Sequence, residues 1–247
     1  MKKIRRGDKW FKYSYMVKST HLAPHMPKTC FFTAESLQKM ITRYGEVILK
    51  PVIGSRGSGV IKVSFLKENG YEIHTENKKK EITEFENVVN HIKKKIGSRR
   101  YLIQRRVRLS EIDNRPFDIR IIVQRKKNSR SWKVTGKVAK VAGKGYIVTN
   151  ITRSKGTLLT VETAIERSSL EHISVSELTA KIDQVALLSA RRLTKLFPHH
   201  RIYGLDMGLD QKGHIWVIEA NTSPMMSHFR KMEDKSMYRR IKAYKQG

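Results

Sequence analysis

Tyr203-Gly204-Leu205-Asp206-Met207-Gly208-Leu209-Asp210-Gln211-Lys212-Gly213-His214-Ile215-Trp216-Val217-Ile218-Glu219-Ala220-Asn221 is the stretch around which the chain is organised. Two apolar, β-prone runs flank Asp210-Gln211-Lys212-Gly213, a turn-like tetrapeptide, so the pattern predicts a β-hairpin. With that tetrapeptide as the loop, Leu209 faces His214 and Asp206 faces Val217. Side chains alternate with period 2, which puts Asp206, Val217, Glu219 and Asn221 on one face. Asp206 and Glu219 are then diagonal neighbours, roughly 7–8 Å apart at the backbone. Carboxylates at that separation can converge on one ion. With the Asn221 amide they make an all-oxygen ligand set that suits Mg²⁺ carrying a nucleotide phosphate, with Mn²⁺ as the alternative ion. The competing reading is a hairpin with solvated polar residues on its outer face. It leaves unexplained why these acids and an amide gather on one face of a chain short of acids.

The chain has 247 residues, 39% of them hydrophobic, which is length enough for one large or two small domains with a core. Lys and Arg total 51 against 22 Asp and Glu, a formal net charge of +29. That surplus repels itself and points to a polyanionic partner or substrate, a membrane surface, or a solubilising coat. Cys30 has no second cysteine to pair with, so a reducing compartment is the default and the expected location is cytoplasmic. The basic start, Met1-Lys2-Lys3-Ile4-Arg5-Arg6, is followed by no apolar run of signal-peptide length, and no stretch is apolar for long enough to span a membrane.

Residues 1–30 are basic and aromatic without a clear period and read as a docking arm or loop. Thr33 can cap a helix over 34–44, whose Leu37, Met40, Ile41 and Tyr44 share a stripe. Val47-Ile48-Leu49 reads as a strand ending at Lys50-Pro51. Val60–Leu66 and Tyr71–Thr75 form a hairpin about Asn69-Gly70. Residues 84–96 suit a helix with a basic end; Tyr101–Gln104, Phe117–Gln124 and Trp132–Val141 suit strands. Ser174-x-x-Glu177 opens a helix over about 175–197, with Leu178, Ile182, Val185 and Leu196 on one stripe. The order predicts two α+β lobes, a small one over 31–104 and a larger one over 105–230, followed by a basic tail over 231–247 that ends in a short helix. The basic runs at 78–80, 93–95, 125–127 and 239–240 read as solvated faces.

Gly54-Ser55-Arg56-Gly57-Ser58-Gly59 lies between two predicted strands, and its glycines let backbone N–H groups approach phosphate oxygens. No Lys-Ser/Thr follows, so it is not a Walker loop, and Lys50 precedes it rather than following as in protein kinases. By itself the loop is equally a flexible hairpin. In Phe117-Asp118-Ile119-Arg120-Ile121-Ile122-Val123-Gln124, Ile119, Ile121 and Val123 form a core face, while Asp118, Arg120, Ile122 and Gln124 face the other way. A strand arginine on the hairpin's sheet suits charge stabilisation on a transferring phosphoryl group; the alternative is a surface pair with Asp118.

Lys50-Pro51, the loop Gly54–Gly59, Tyr101-Leu102-Ile103-Gln104, Asp118-Ile119-Arg120, Gly204-Leu205-Asp206 and Glu219-Ala220-Asn221 together resemble the ATP-grasp series in order and spacing. Pro27-x-Thr29, Trp132–Gly136 and Thr149-Asn150 resemble its YheC/YheD, endospore coat-associated, type over roughly residues 25–230. The resemblance implies an α+β ATP-grasp fold with ATP between the two lobes. Lys50 and Ser55, Arg56, Gly57, Ser58 and Gly59 would meet the phosphates. Gln104, Arg105 and Val107 would border the adenine, and Asp118 would belong to the nucleotide site. Asp206, Glu219 and Asn221 would hold the metal, and Arg120, Lys140 and Asn150 would be the catalytic positions. The implied reaction is carboxylate–amine ligation: a carboxylate attacks the γ-phosphate, and an amine captures the acylphosphate. Such a site works by electrostatic positioning.

Two positions depart from the pattern. Lys140 stands where an arginine is expected, which removes bidentate geometry. Ser154-Lys155-Gly156 replaces a glycine pair after Asn150 and bears on acceptor positioning. With about thirty residues ahead of the small lobe, the usual N-terminal substrate domain is expected to be absent. The resemblance also implies a link to spores. The runner-up function is an ATP-binding coat-associated structural protein with little turnover. Nucleic acid is not the expected partner, because zinc-finger spacing and an RNP-type aromatic pattern are missing. Acidic peptides are the favoured acceptors on charge; the oligomeric state is left open.

Overall fold

The computed structural model of the protein describes residues 7–54, 57–146 and 155–246. Its strands are β1 (Thr29–Phe31), β2 (Glu46–Pro51), β3 (Ile61–Phe65), β4 (Tyr71–Thr75), β5 (Lys78–Ile82), β6 (Tyr101–Arg105), β7 (Glu111–Ile112), β8 (Arg115–Gln124), β9 (Lys133–Val141), β10 (Thr157–Leu159), β11 (Ile202–Leu209) and β12 (Ile215–Asn221). Its helices are α1 (Lys9–Met16), α2 (Ala34–Tyr44), α3 (Phe85–Ile96), α4 (Val161–Glu166), α5 (Val175–Thr194), α6 (Ser227–Lys231) and α7 (Ser236–Gln246). Among the described residues the strands make two sheets, ordered β1-β6-β2-β3-β4-β5 and β10-β9-β8-β11-β12, with β7 paired to β8.

In the first sheet one face is apolar. Val47, Leu49, Ile61, Val63, Ile73 and Ile103 pack against Leu37, Met40 and Ile41 of α2 and Val88, Val89, Ile92 and Ile96 of α3. The helix α2 starts where expected: Thr33 Oγ1 accepts from the Ser36 N–H, and the Ser36 hydroxyl accepts from the Thr33 N–H. The opposite face carries Lys50, Lys62, Ser64, Glu72, His74 and Gln104, all buried. The lysine run at 78–80 lies on β5, an edge strand, where exposed charge discourages pairing with another chain. That strand is invisible to an alternation test because nearly every residue in it is exposed.

In the second sheet both faces are covered. Ile119, Ile121 and Val123 join Leu178, Ile182, Val185 and the other core residues on one face, as their alternation predicts. On the other, Ile122 and Val138 meet Phe229 and Ile241 from α6 and α7. Gly136 makes this possible: a Cβ there would lie 2.9 Å from the Phe229 ring and 2.8 Å from Ile241. The C-terminal segment is therefore packed structure, tied down by Gln124 Nε2 donating to the Ile241 carbonyl and Arg240 Nε donating to the Thr135 carbonyl.

The N-terminal stretch departs most from the expectation of an irregular arm. Asp8 caps α1 by accepting from the Phe11 N–H, and Met16, Leu22 and Met26 sit in the large core. Thr29–Phe31 then adds β1 to the first sheet. The helix escapes detection because its buried residues are Lys9, Lys12 and Met16, a stripe that reads as polar.

Candidate active site

The hairpin forms, with a different register. Leu209 pairs with Ile215 and Met207 with Val217, then a bulge intervenes and Asp206 pairs with Glu219. The extra residue is Ile218, and it inverts the period-2 phase. Val217 consequently turns into the core, away from Asp206, Glu219 and Asn221, and the two acids stand directly opposite rather than diagonal. The loop is longer than expected as well. The Asp210 N–H donates to the His214 carbonyl, and Asp210 Oδ1 accepts from the Lys212 and His214 N–H groups.

The second sheet aligns its charges by direct cross-strand pairing. Asp206 on β11 faces Arg120 on β8, and Asp118 faces Lys140 on β9. Arg120 grips Asp206 with both nitrogens, Nε to Oδ1 and Nη2 to Oδ2, each at 2.9 Å. Lys140 Nζ lies 3.0 Å from Asp206 Oδ1 and 2.8 Å from Asp118 Oδ1. Asn221 Nδ2 donates to Asp206 Oδ2 at 3.3 Å. Burial pushes the Asp206 carboxyl up, but Arg120 and Lys140 more than offset that and hold it well below the usual carboxylate range. Burial works against the charge on Lys140 too, and Asp118 and Asp206 overcome it, leaving its pKa raised. Arg120 thus pairs with Asp206, where the sequence suggested Asp118 as its alternative partner.

Across from this row stands Lys50. Its ammonium donates to Gln104 Oε1 at 2.9 Å and to the carbonyl of Ile218 at 3.2 Å, the bulge residue that has no partner on β11. Gln104 in turn donates to Thr29 Oγ1 at 2.9 Å. Burial drives the Lys50 pKa down, Glu219 and Asp206 partly restore it, Lys9 and Lys12 lower it further, and it settles at about 8. Arg105 turns its guanidinium to the Trp216 and Tyr44 rings, 5.2 and 5.4 Å away, and Val107 is half-buried. In the glycine loop Gly57 and Gly59 have φ of 69° and 73°. A Cβ on Gly59 would lie 2.6 Å from the Tyr101 hydroxyl, and its positive φ favours glycine. Ser58 is exposed. Ser55, Arg56 and Asn150, and with them Thr149 and Ser154, lie outside the described residues.

Sequence reasoning missed two cations. Lys9 Nζ donates to the Gly54 carbonyl at 2.5 Å and lies 3.8 Å from Glu219 Oε1. Lys12 lines the same small cavity, about 20 Å³, as Lys50, Gln104, Ile218 and Glu219, and burial lowers its pKa with Glu219 in opposition. The available signal was Asp8, an N-cap, followed by lysines at helical spacing. Lys9, Lys12, Lys50, Arg120 and Lys140 outnumber Asp118, Asp206 and Glu219, so the site favours an anion carrying several charges.

As donors, the acids and the amide are of the oxygen type that Mg²⁺ takes. Among the described residues no group of three or more His, Cys, Asp or Glu could hold a metal by itself. Two carboxylates and an amide are too few for a protein-only cage but suit Mg²⁺, which takes one or two carboxylates and completes its shell with phosphate and water.

A family model described as YheC/D like ATP-grasp matches residues 3–245, nearly the whole chain. The chain belongs to the YheC/D-like ATP-grasp family. It is 25% identical over 235 residues to the endospore coat-associated protein YheD of Bacillus subtilis (strain 168), covering 90% of this chain and 49% of that one. The endospore coat-associated protein YheC of the same organism is 25% identical over 228 residues, covering 90% and 61%. The chain thus spans about half to three-fifths of the length of these relatives. Among solved structures, the ATP-grasp ligase PsnB complexed with minimal precursor superposes with a TM-score of 0.55 at 13% identity, over 96% of this chain and 60% of that one. The N5-carboxyaminoimidazole synthase of Aspergillus clavatus, in complex with ADP and an aminoimidazole ribonucleotide, gives 0.54 at 10% identity, over 90% and 45%. At those identities the likeness shows the fold: an α+β ATP-grasp fold with antiparallel sheets. Among the described residues of this YheC/D-like chain, no helix is long and apolar enough to cross a membrane.

Proposed function

We propose that the protein is an ATP- and Mg²⁺-dependent ligase that joins a carboxylate to an amine through an acylphosphate. One observation carries the reading: the alternating row Asp118–Lys140–Asp206–Arg120, facing Glu219 and, across the cleft, the buried Lys50. Lys50, Lys9 and the backbone of Gly57–Gly59 hold the phosphates; Gln104, Arg105 and Val107 border the adenine. Asp206, Glu219 and Asn221 would hold Mg²⁺, which would supply positive charge to offset that of the phosphates. Arg120 and Lys140 stabilise the phosphoryl group as the substrate carboxylate attacks it. Lys50 bridges to Ile218 beside a small cavity of about 20 Å³ that Gln104 and Glu219 also line.

Arg120 is expected to act on the transition state. Arg120→Lys should lower kcat about tenfold or more while KM for ATP changes little, because a point charge replaces a planar fork. An unchanged kcat in steady-state assays would make Arg120 a structural partner of Asp206 only.

Measuring ADP release against a panel of amino acids and acidic peptides tests the ligase reading. The names of the curated relatives favour a second reading, an ATP-binding coat-associated protein with little turnover, which predicts nucleotide binding without acceptor-dependent ADP release. Acidic peptides lead the panel because of the +29 charge and its placement. Lys95 Nζ donates to Thr75 Oγ1 where β4 turns into β5 at Lys78, and Arg99 lies beside Gly59 of the glycine loop. Burial lowers the His91 pKa, and Lys80, Lys95 and Lys94 add to it, so these cations converge. KM for an acidic acceptor should rise severalfold with ionic strength, since the Debye length falls from ~10 Å at 0.1 M to ~3 Å at 1 M. A flat salt profile with ATP saturating would remove the acidic-acceptor proposal and leave the ligase reading standing.

A further inference from the structure

Helix α6 sits where one face of the second sheet changes character. Phe229 packs on Gly136 and clusters with Ile122, Val138 and Ile241. One pleat further along β8 and β9, the same face presents Arg120 and Lys140. His228, the residue before Phe229, stands at that boundary. Its Nδ1 is buried and has no hydrogen-bond partner. A buried polar atom left unsatisfied is costly and calls for an explanation, and a ligand atom supplied in the working state is one. The charged groups facing the imidazole are Lys140, Arg120 and Asp206 from the sheet and Lys231 from its own helix.

We propose that His228 is the base that accepts a proton from the incoming amine. The inference rests on the ligase reading. In the neutral ring with the proton on Nε2, Nδ1 presents a lone pair. It takes one proton from the ammonium form of the incoming amine. The freed amine attacks the acyl carbon, the C–N bond forms, and the C–O bond to phosphate breaks. The second amine proton leaves with the departing phosphate. Burial, Lys140 and Arg120 keep the imidazole uncharged and lower its pKa to about 4. Anionic phosphoryl oxygens against Arg120 and Lys140 remove that suppression, so the ring becomes a stronger base when substrate is bound.

Two measurements test this. In the first, a short glutamate peptide supplies the carboxylate, and either glycinamide or hydroxylamine supplies the amine; hydroxylamine is already uncharged at neutral pH. His228→Gln should lower kcat with glycinamide by about a hundredfold, with Mg·ATP affinity and thermal midpoint close to wild type. Hydroxylamine should narrow that loss at least tenfold. Equal losses with both nucleophiles, or no loss with either, would overturn the assignment. Wild-type protein that releases no ADP with either would overturn the ligase reading and the base together. In the second, NMR titration of labelled histidine should show the His228 pKa rising by about one unit or more when Mg·AMPPNP binds. A pKa unmoved by the nucleotide would overturn the proposal even if the variant proved inactive.

Discussion

Asp206→Asn is expected to lower ATP turnover by at least about a hundredfold and to destabilise the free protein. The carboxylate lies between Arg120 and Lys140 with its side chain 14% exposed, and removing its charge leaves two buried cations with less compensation. Breaking a buried pair on one side costs about 3–5 kcal/mol. Glu219→Ala should also lose turnover, but Glu219 only approaches Lys9 at 3.8 Å and is more exposed, so its thermal midpoint should stay near wild type. The contrast separates the proposed metal role, common to both, from the structural role that Asp206 alone carries. Either variant retaining full ATP turnover would refute the metal assignment. The acid limb of stability should respond as well. Asp206 has a depressed folded pKa, so its contribution is present above the unfolded value of ~3.9 and is lost as pH falls towards the folded one. Asp206→Asn should flatten that limb.

Nucleotide affinity is expected to fall steeply above pH 8. Lys50 is buried and its pKa is about 8, so its ammonium, the form proposed to bind phosphate, is lost just above neutrality. One unit above that pKa, Mg·ATP should bind about tenfold more weakly. Folding stability should move the other way. An unfolded lysine keeps its proton to ~10.4, so between about 8 and that value the unfolded chain binds more protons than the folded one, and stability rises with pH. Lys50→Arg, which stays charged throughout, should flatten the affinity profile whatever its absolute affinity. Calorimetric titration of Mg·ATP from pH 7 to 9.5 on both proteins checks this. Parallel profiles would mean that another group titrates.

Features whose signal is local were legible in residue order alone. Thr33 and Ser174 cap their helices as read, because an N-cap needs only its own first turn. The alternation in β8 correctly sorted Ile119, Ile121 and Val123 from Asp118 and Arg120, since period 2 holds wherever a strand is unbroken. The ATP-grasp fold was legible in the order of the motifs, and the match over residues 3–245 agrees. Features that depend on which strands become neighbours emerged only on packing. The bulge at Ile218 re-aimed Val217 and brought Asp206 opposite Glu219, and an inserted residue cannot be told from a regular one until the partner strand is in place. Asp206 found Arg120 and Lys140 on strands far away in sequence, with partners set by sheet order. Lys9 and Lys12 lie in a stretch without a clear period that read as an arm or loop, and they are buried cations where α1 packs against the hairpin. His228 carried no signal of its own until Phe229, resting on Gly136, set it beside the charged row. Burial is a property of the packed chain, and it gives these groups their chemistry.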